Sequence, residues 1–462
     1  MPRIRTVLLL AGDCLVLWFC YLAAGYLILE NNLVPDMNME LFLNAENGWT
    51  KIGVLIFTLI FGFYFVGLYE NVRVRSRRRL AEDLMLVMGL SFLFQAFISY
   101  LSRPMMMSRW IMLLGSFFAI ALIVVWRVGY SAALVASVGR QRVLFLGNTP
   151  LSRLLAQHIQ DHPEKGFDCI GCIQTKAEEH EPFPGGQVYP MQENLEEQIQ
   201  ALRPDRVSVA GQYPADSPIY SSLLLCSMNR IVVENSGELH ENVFQRVALE
   251  AVTTDQLIFS PAFRAPIATE IIQSLYGRLF SLLGIFLTWP LMLLTAIAVR
   301  LDSPGPALLR QERVGLNGRH FFILKFRSMY VDADQRFGRT RADTEDPRIT
   351  RVGKWIRLTR LDELPQFVNV LRGEMNFVGP RPEMPVYVKE LTAAVPLYPQ
   401  RLRVKPGLTG WAQLHHIPEL TAAETARKLS YDLFYIKNMS VLFDVTIVFH
   451  TVKAVLFRTG AR

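Results

Sequence analysis

The sequence predicts three parts: an α-helical membrane bundle of four spans, a Rossmann-like α/β domain, and an α+β domain that carries a re-entrant membrane helix. Three observations lead there. Just over half of the 462 residues are hydrophobic (51%), only 19% are charged and mean hydropathy is positive, which suits membrane embedding better than one large soluble core. The apolar residues gather in long runs at the start of the chain and once more after residue 270. Elsewhere the pattern shortens to strand and helix periods punctuated by Gly and Pro. The expected boundaries are 1–139, 140–265 and 266–462, with the re-entrant helix over 271–299.

The first run, residues 7–29, follows Arg3 and Arg5 and, at about 1.5 Å per residue, is long enough for a hydrocarbon core of about 30 Å. A signal peptide cut near Ala23-Ala24-Gly25 is the rival reading, but the run exceeds a typical h-region and similar runs follow at 52–68, 84–101 and 111–125. Trp110 and Trp126 stand where interfacial aromatics belong. Glu30, Asp36, Glu40 and Glu46 separate the first two spans. Arg73, Arg75, Arg77, Arg78 and Arg79 separate the next two, and Arg127, Arg140 and Arg142 follow the fourth. The positive-inside rule then puts both ends of the bundle in the cytoplasm. Asp13, inside the first span, reads as a snorkelling or helix-paired acid.

Between 142 and 261, Val143-Leu144-Phe145-Leu146 reads as a buried strand, Gly147 as a turn and 151–159 as a helix, with further strands at 206–210 and 231–234. The dinucleotide fingerprint is degraded: Thr149 and Ser152 stand where glycines would admit a pyrophosphate, so a packing or regulatory module is expected. His158 and His162 lack a third metal ligand, and the lone Cys169–Cys172 pair lies in a strand-like stretch and reads as packing. Five cysteines make no disulfide framework. The net charge of +7 comes from arginines beside apolar runs, which fits anionic lipid or phosphate partners; without a basic stripe interleaved with aromatics, no nucleic-acid partner is expected.

The run at 275–299 is flanked by Arg278 and Arg300 and interrupted by Pro290. A helix that enters, breaks at the proline and leaves on the same side satisfies both flanks; an ordinary kinked fifth span is the alternative. Downstream, Thr359-Arg360-Leu361-Asp362-Glu363-Leu364-Pro365-Gln366 places two carboxylates where a helix would start, with Asp362 at the N-cap position and Gly373 as the stop. Acids at a helix start are ordinary, and so is phosphate chemistry there. Three rigid Pro/Gly turns nearby each carry a cation, as an oxyanion clamp requires. The last apolar stretch, 441–457, fits an interfacial helix or a core helix.

Taken together the motifs Asp302-Ser303-Pro304-Gly305-Pro306, Gln311-Glu312-Arg313-Val314-Gly315, Lys325-Phe326-Arg327-Ser328-Met329, Leu361 to Gln366, Val378-Gly379-Pro380-Arg381-Pro382 and Lys405 to Gln413 closely resemble the bacterial sugar transferases. These are the polyprenyl-phosphate glycosylphosphotransferases, and the likeness is to the long-form monotopic phosphoglycosyl transferases of exopolysaccharide type, over about 271–462. The resemblance implies a monotopic catalytic domain at the bacterial inner membrane, facing the cytoplasm. It implies transfer of a sugar 1-phosphate from a UDP-sugar to undecaprenyl phosphate through an aspartyl phosphosugar, with release of UMP. It puts the nucleophile on Asp362, a Mg²⁺-linked carboxylate on Glu363 and phosphate-contacting cations on Lys325 and Arg381; Arg327 joins them as a third expected cation. A carboxylate with an ordinary pKa of about 4 is ionised at neutral pH and needs no general base. One departure from the family is Thr288-Trp289-Pro290 where many members have Ser-Pro. Which sugar moves, and whether the chain forms a homo-oligomer, stay open. A nucleotide-sugar dehydratase would need an intact glycine fingerprint and a Tyr-x-x-x-Lys pair, which the chain lacks. A non-catalytic scaffold would leave the charged residues without a task.

Overall fold

The computed structural model describes residues 2–31, 37–69, 77–102, 104, 107–138, 140–163, 166–174, 182–211, 213, 217–229, 231–252, 256, 260, 263, 267–331, 346–395, 397–415 and 421–456. Asp36, Arg73 and Arg75, which entered the orientation argument, lie outside them. The chain divides into two compact units, Met1–Val233 and Glu234–Arg462.

The first unit opens with α1 (Pro2–Glu30), α2 (Gly48–Val66), α3 (Arg77–Leu101) and α4 (Arg109–Val138). All four, and one later helix, are long and apolar enough to cross a membrane, which marks the chain as membrane-associated. In lipid such helices gain little from hiding apolar surface from one another, so close packing and polar pairs must hold them. Gly12 lets the Trp126 ring lie against α1, and Gly115 does the same for Tyr21, whose hydroxyl is 2.8 Å from Ser116 Oγ. Trp126 is thus partly buried against the bundle. The fourth helix also runs past the expected end at 125. Arg127 lies inside it, buried, and its guanidinium meets Asp13 at 2.5 Å while Tyr69 donates to the same carboxylate at 2.8 Å. Arg127 is thus the partner that makes Asp13 tolerable.

A five-stranded sheet follows, built from β1 (Gln141–Leu146), β2 (Phe167–Gln174), β3 (Gln187–Pro190), β4 (Arg206–Val209) and β5 (Val232–Asn235) in the order β3-β2-β1-β4-β5. The β1/β2, β2/β3 and β1/β4 pairs are parallel, as the Rossmann-like reading requires. Gly147 takes φ 105 at the turn into α5 (Pro150–Asp161). The N-terminus of α5 is occupied by its own residues: the Thr149 hydroxyl accepts from Ser152 N–H, and the Ser152 hydroxyl donates to the Gly147 carbonyl at 2.8 Å. This is a capping box, which pairs two of the backbone N–H groups at the helix start. Cys172 is buried on β2, as the packing reading expects.

The second unit is built along α6 (Ile267–Asp302), 36 residues with Pro290 inside. Helical backbone continues through the proline, and the Thr288 hydroxyl donates to the Gly284 carbonyl at 2.6 Å, a back-bond of the kind that bends helices. Around it stand the antiparallel hairpin β6 (Leu308–Val314) and β7 (His320–Phe326), then α7 (Arg351–Leu358), α8 (Gln366–Leu371) and β8 (Asn376–Val378). Next come α9 (Pro385–Ala394), β9 (Gly407–Thr409), which pairs with β8 in parallel, α10 (Ala422–Lys437) and α11 (Val441–Leu456). The main core gathers Val378, Tyr398, Val404, Leu429, Leu433, Ile436 and Ile447, each fully buried side chain contributing about 1.5–3 kcal/mol. Within the expected 441–457 stretch, Val441–Leu456 is a helix with one face in the core: Asp444 is buried and accepts from Gln273, Tyr276 and Tyr435.

Candidate active site

The two acids do not stand where a helix cap would put them. Asp362 lies within a single 3₁₀ turn, Leu361–Glu363, entered through Arg360 at φ 57, and α8 begins only at Gln366 with Pro365 as its cap. The left-handed Arg360 costs about 1–2 kcal/mol and turns the chain sharply, so the pair projects from a tight turn and not from a helix dipole. Gly373 at φ 77 ends α8 as the sequence suggested. Leu361 fastens the turn by packing against the cluster formed by Val299 of α6, Phe326 of β7 and Ile356 of α7. On the other side, Phe367 lies against Gly284 of α6 and stacks on Phe377 at 5.8 Å. Both carboxylates are therefore held beside the long apolar helix.

Asn369 was not anticipated by the sequence reading. It is fully buried and behaves like an extra strand edge for β7: its Oδ1 accepts from Leu324 N–H at 3.0 Å and its Nδ2 donates to the Phe322 carbonyl at 2.7 Å. That fixes α8 to the strand carrying Lys325. A polar residue inside the apolar run Phe367-Val368-Asn369-Val370 was the available signal.

Lys325 and Arg381 both reach the pair. Lys325 Nζ and an Arg381 terminal nitrogen each lie 3.2 Å from Glu363 Oε1, with Arg360 at 3.9 Å from the same oxygen. Burial alone would raise the Glu363 carboxyl, but Arg381, Lys325 and Arg360 outweigh it and hold it at about 2. Asp362 goes the other way: burial first, then the neighbouring Glu363, push it up to about 6 against the pull of Lys325, Arg360 and Arg357. Burial likewise pulls the Lys325 ammonium down, with Glu363 resisting. Asp362 Oδ1 is buried without a hydrogen-bond partner. Two adjacent acids with opposed shifts, one locked to cations and one with an unpaired, weakly solvated oxygen, make an arrangement that can do nucleophilic chemistry.

Arg327 is not part of this group. Its guanidinium is buried and donates to the carbonyls of Ser303 at 2.6 Å, Pro304 at 2.5 Å and Val299 at 3.4 Å, so it caps the C-terminal end of α6. Gly305, at φ 123, leaves the room that Arg327 fills. In this structure the terminal nitrogens of Arg327 thus serve carbonyls at the end of α6 and not the acid pair. Arg327→Met should therefore lower stability on the order of 3 kcal/mol, read as a drop in the thermal midpoint, while folded protein keeps its ligand affinity. Lys405, on the third Pro/Gly turn, is also placed elsewhere: with Arg278 it lies by Gly373, at the far end of α8, their nitrogens 3.7 and 3.1 Å from where a Cβ would be. Lys405 also lines a cavity of ≈ 210 Å³ with Gln273, Asn376 and Tyr435, none of them near the acids in the turn. Pro290 is exposed on α6.

The chain matches two known families. Residues 268–458 match the bacterial sugar transferase family and residues 64–209 a CoA-binding domain family. A UDP-glucose:undecaprenyl-phosphate glucose-1-phosphate transferase of Escherichia coli K12 is 30% identical over 328 residues, covering 68% of this chain and 67% of that protein. A UDP-N-acetylgalactosamine-undecaprenyl-phosphate N-acetylgalactosaminephosphotransferase of Aeromonas hydrophila is 41% identical over 240 residues, 52% of this chain and 56% of its own length. An exopolysaccharide production protein of Rhizobium leguminosarum is 39% identical over 186 residues, 38% of this chain and 92% of that protein. The chain thus spans just over half the length of the Aeromonas relative.

Proposed function

Because the chain belongs to the bacterial sugar transferase family, we propose that it moves a sugar 1-phosphate from a UDP-sugar to undecaprenyl phosphate, with Asp362 as the transient carrier. The observation that carries this reading is the turn itself: a buried carboxylate oxygen without a partner beside a carboxylate that gathers Lys325, Arg381 and Arg360. In the first step an Asp362 oxygen attacks the phosphorus bearing the sugar, the anhydride bond to the nucleotide breaks, and UMP leaves with the bonding electrons. In the second, an oxygen of undecaprenyl phosphate attacks the same phosphorus, the acyl phosphate bond breaks, and Asp362 is restored as a carboxylate. Lys325 and Arg381 stand where they steady charge developing on the departing phosphate. With a pKa of about 6, Asp362 remains about nine-tenths ionised at pH 7, so no separate base is required.

Among the described residues no group of three or more His, Cys, Asp or Glu gathers. That suits Mg²⁺, which takes one or two carboxylates and completes its shell with water and phosphate oxygens. Glu363, whose Lys325, Arg381 and Arg360 contacts all go to Oε1, would hold it, and when bound it neutralises the anhydride.

The re-entrant reading of α6 draws support from its packing. Gln273 near its start meets Asn376 and Asp444, Gly284 in its middle lies against Phe367, and Val299 near its end packs with Phe326 and Ile356. Both ends rest on one compact unit, and a wholly transmembrane helix would part them by a bilayer. The intervening Phe286, Leu287 and Leu294 stay exposed, as lipid contact requires. The catalytic unit then faces the cytoplasm of the bacterial inner membrane, where UDP-sugars are available, and the relatives suggest a first step of exopolysaccharide synthesis. A panel of UDP-sugars, assayed with undecaprenyl phosphate and Mg²⁺, should give UMP release and a lipid-linked phosphosugar for at least one donor. Silence across the panel with folded, membrane-inserted protein would reject the reading.

A further inference from the structure

Arg381 presents a problem of placement. Its side chain is 38% exposed, yet one guanidinium nitrogen sits 3.2 Å from Glu363, and the residue stands between Pro380, whose carbonyl accepts from Gly407 N–H at 3.0 Å, and Pro382. The restraint comes from far along the sequence. Arg401, buried, donates to the Arg381 carbonyl at 2.9 Å and is itself held by Asp432 at 2.8 Å and by the Tyr398 hydroxyl at 2.8 Å. Two residues beyond Arg381, Glu383 accepts from Lys428 at 2.9 Å and lies 3.7 Å from Arg313, while its carbonyl accepts from Val314 N–H at 2.9 Å. Lys428 and Asp432 are four residues apart on α10, hence on one face, one turn apart.

We infer that Lys428 and Asp432 are positioning residues, a two-point brace on α10 that fixes the Arg381 turn and thereby aims Arg381 at Glu363. The inference rests on the reading of the site given above and deepens it. Ion pairs this deeply buried are a poor source of stability compared with apolar residues of the same volume, because desolvation offsets their attraction. What they supply is direction: an Arg fork on a carboxylate admits few geometries, and here it passes that geometry to one backbone carbonyl. The brace spans both sides of Arg381, through its own carbonyl and through the side chain of Glu383, so neither rotation nor sliding of the turn is free.

The test uses the full chain with UDP and Mg²⁺ as the probe, by calorimetry at a temperature where every variant is folded, with thermal midpoints measured in parallel. Lys428→Met and Asp432→Asn should each weaken UDP binding about tenfold or more, and Lys428→Arg, which keeps a cation at Glu383, should restore most of it. Leu429→Ala, a buried core truncation on the same helix, should lower the midpoint and leave UDP affinity unchanged. If Asp432→Asn does not fold, Arg401→Lys, which keeps the charge and loses the fork, decides the same point. Variants that bind UDP as the wild type does, or whose affinities merely follow their midpoints as Leu429→Ala does, overturn the brace while leaving the proposed function standing. A wild type that binds no UDP overturns both.

Discussion

Asp362→Asn should reduce UMP release by about a thousandfold or more and abolish covalent labelling of the protein by a radiolabelled UDP-sugar. The asparagine is nearly the same size and the turn that holds it is fixed elsewhere, by Leu361 in its apolar cluster, by Arg360 in its left-handed conformation and by Asn369 against β7, so the fold should survive. What is lost is the negative oxygen. An amide cannot form the acyl phosphate, and Oδ1, buried without a partner, has no neighbouring hydroxyl or imidazole among the described residues of the turn to take its place. Trapping wild type with donor and no acceptor should yield the labelled protein. A variant that still acquires label, or a wild type that never does and needs both carriers bound together, would replace the two-step scheme with direct transfer.

Glu363→Gln should be nearly as damaging, on the order of a hundredfold in turnover, and it carries a second signature in the pH profile. In the wild type, rate requires ionised Asp362, so activity is lost as pH falls through about 6. After burial, the charge of Glu363 is the next cause of that elevated value, opposed by Lys325, Arg360 and Arg357. Removing it leaves the cations unopposed, so the carboxyl of Asp362 drops and the acid limb of the residual activity moves to lower pH. An acid limb that stays in place, or moves up, would show that Glu363 does not act on Asp362 through its charge.

Much of this protein was legible before any coordinates. Long apolar runs announce helices because burying or immersing them requires continuous hydrophobicity, and all four early runs became helices together with the one holding Pro290. After Gly147, Thr149 and Ser152 stand where the fingerprint has glycines, and both act as caps of the helix that follows. The adjacent acids stood out by their order among the Pro/Gly motifs.

The sequence by itself thus determined where the long apolar helices lie and which acids and cations are available for chemistry, because apolar periodicity is a local property, whereas the turn that holds Asp362 was read as a helix cap. Only the tertiary structure decided which cation meets which acid. Lys325 and Arg381 converge on Glu363, whereas Arg327 is spent on the carbonyls at the end of α6, Lys405 lies beside Arg278, and Arg127 answers Asp13 across the bundle. An arginine beside a glycine-proline turn reads the same in either role. The difference is a few ångströms of approach between residues tens of positions apart, and since charge interactions and hydrogen bonds fade over just that distance, their partners are fixed by packing and not by spacing along the chain.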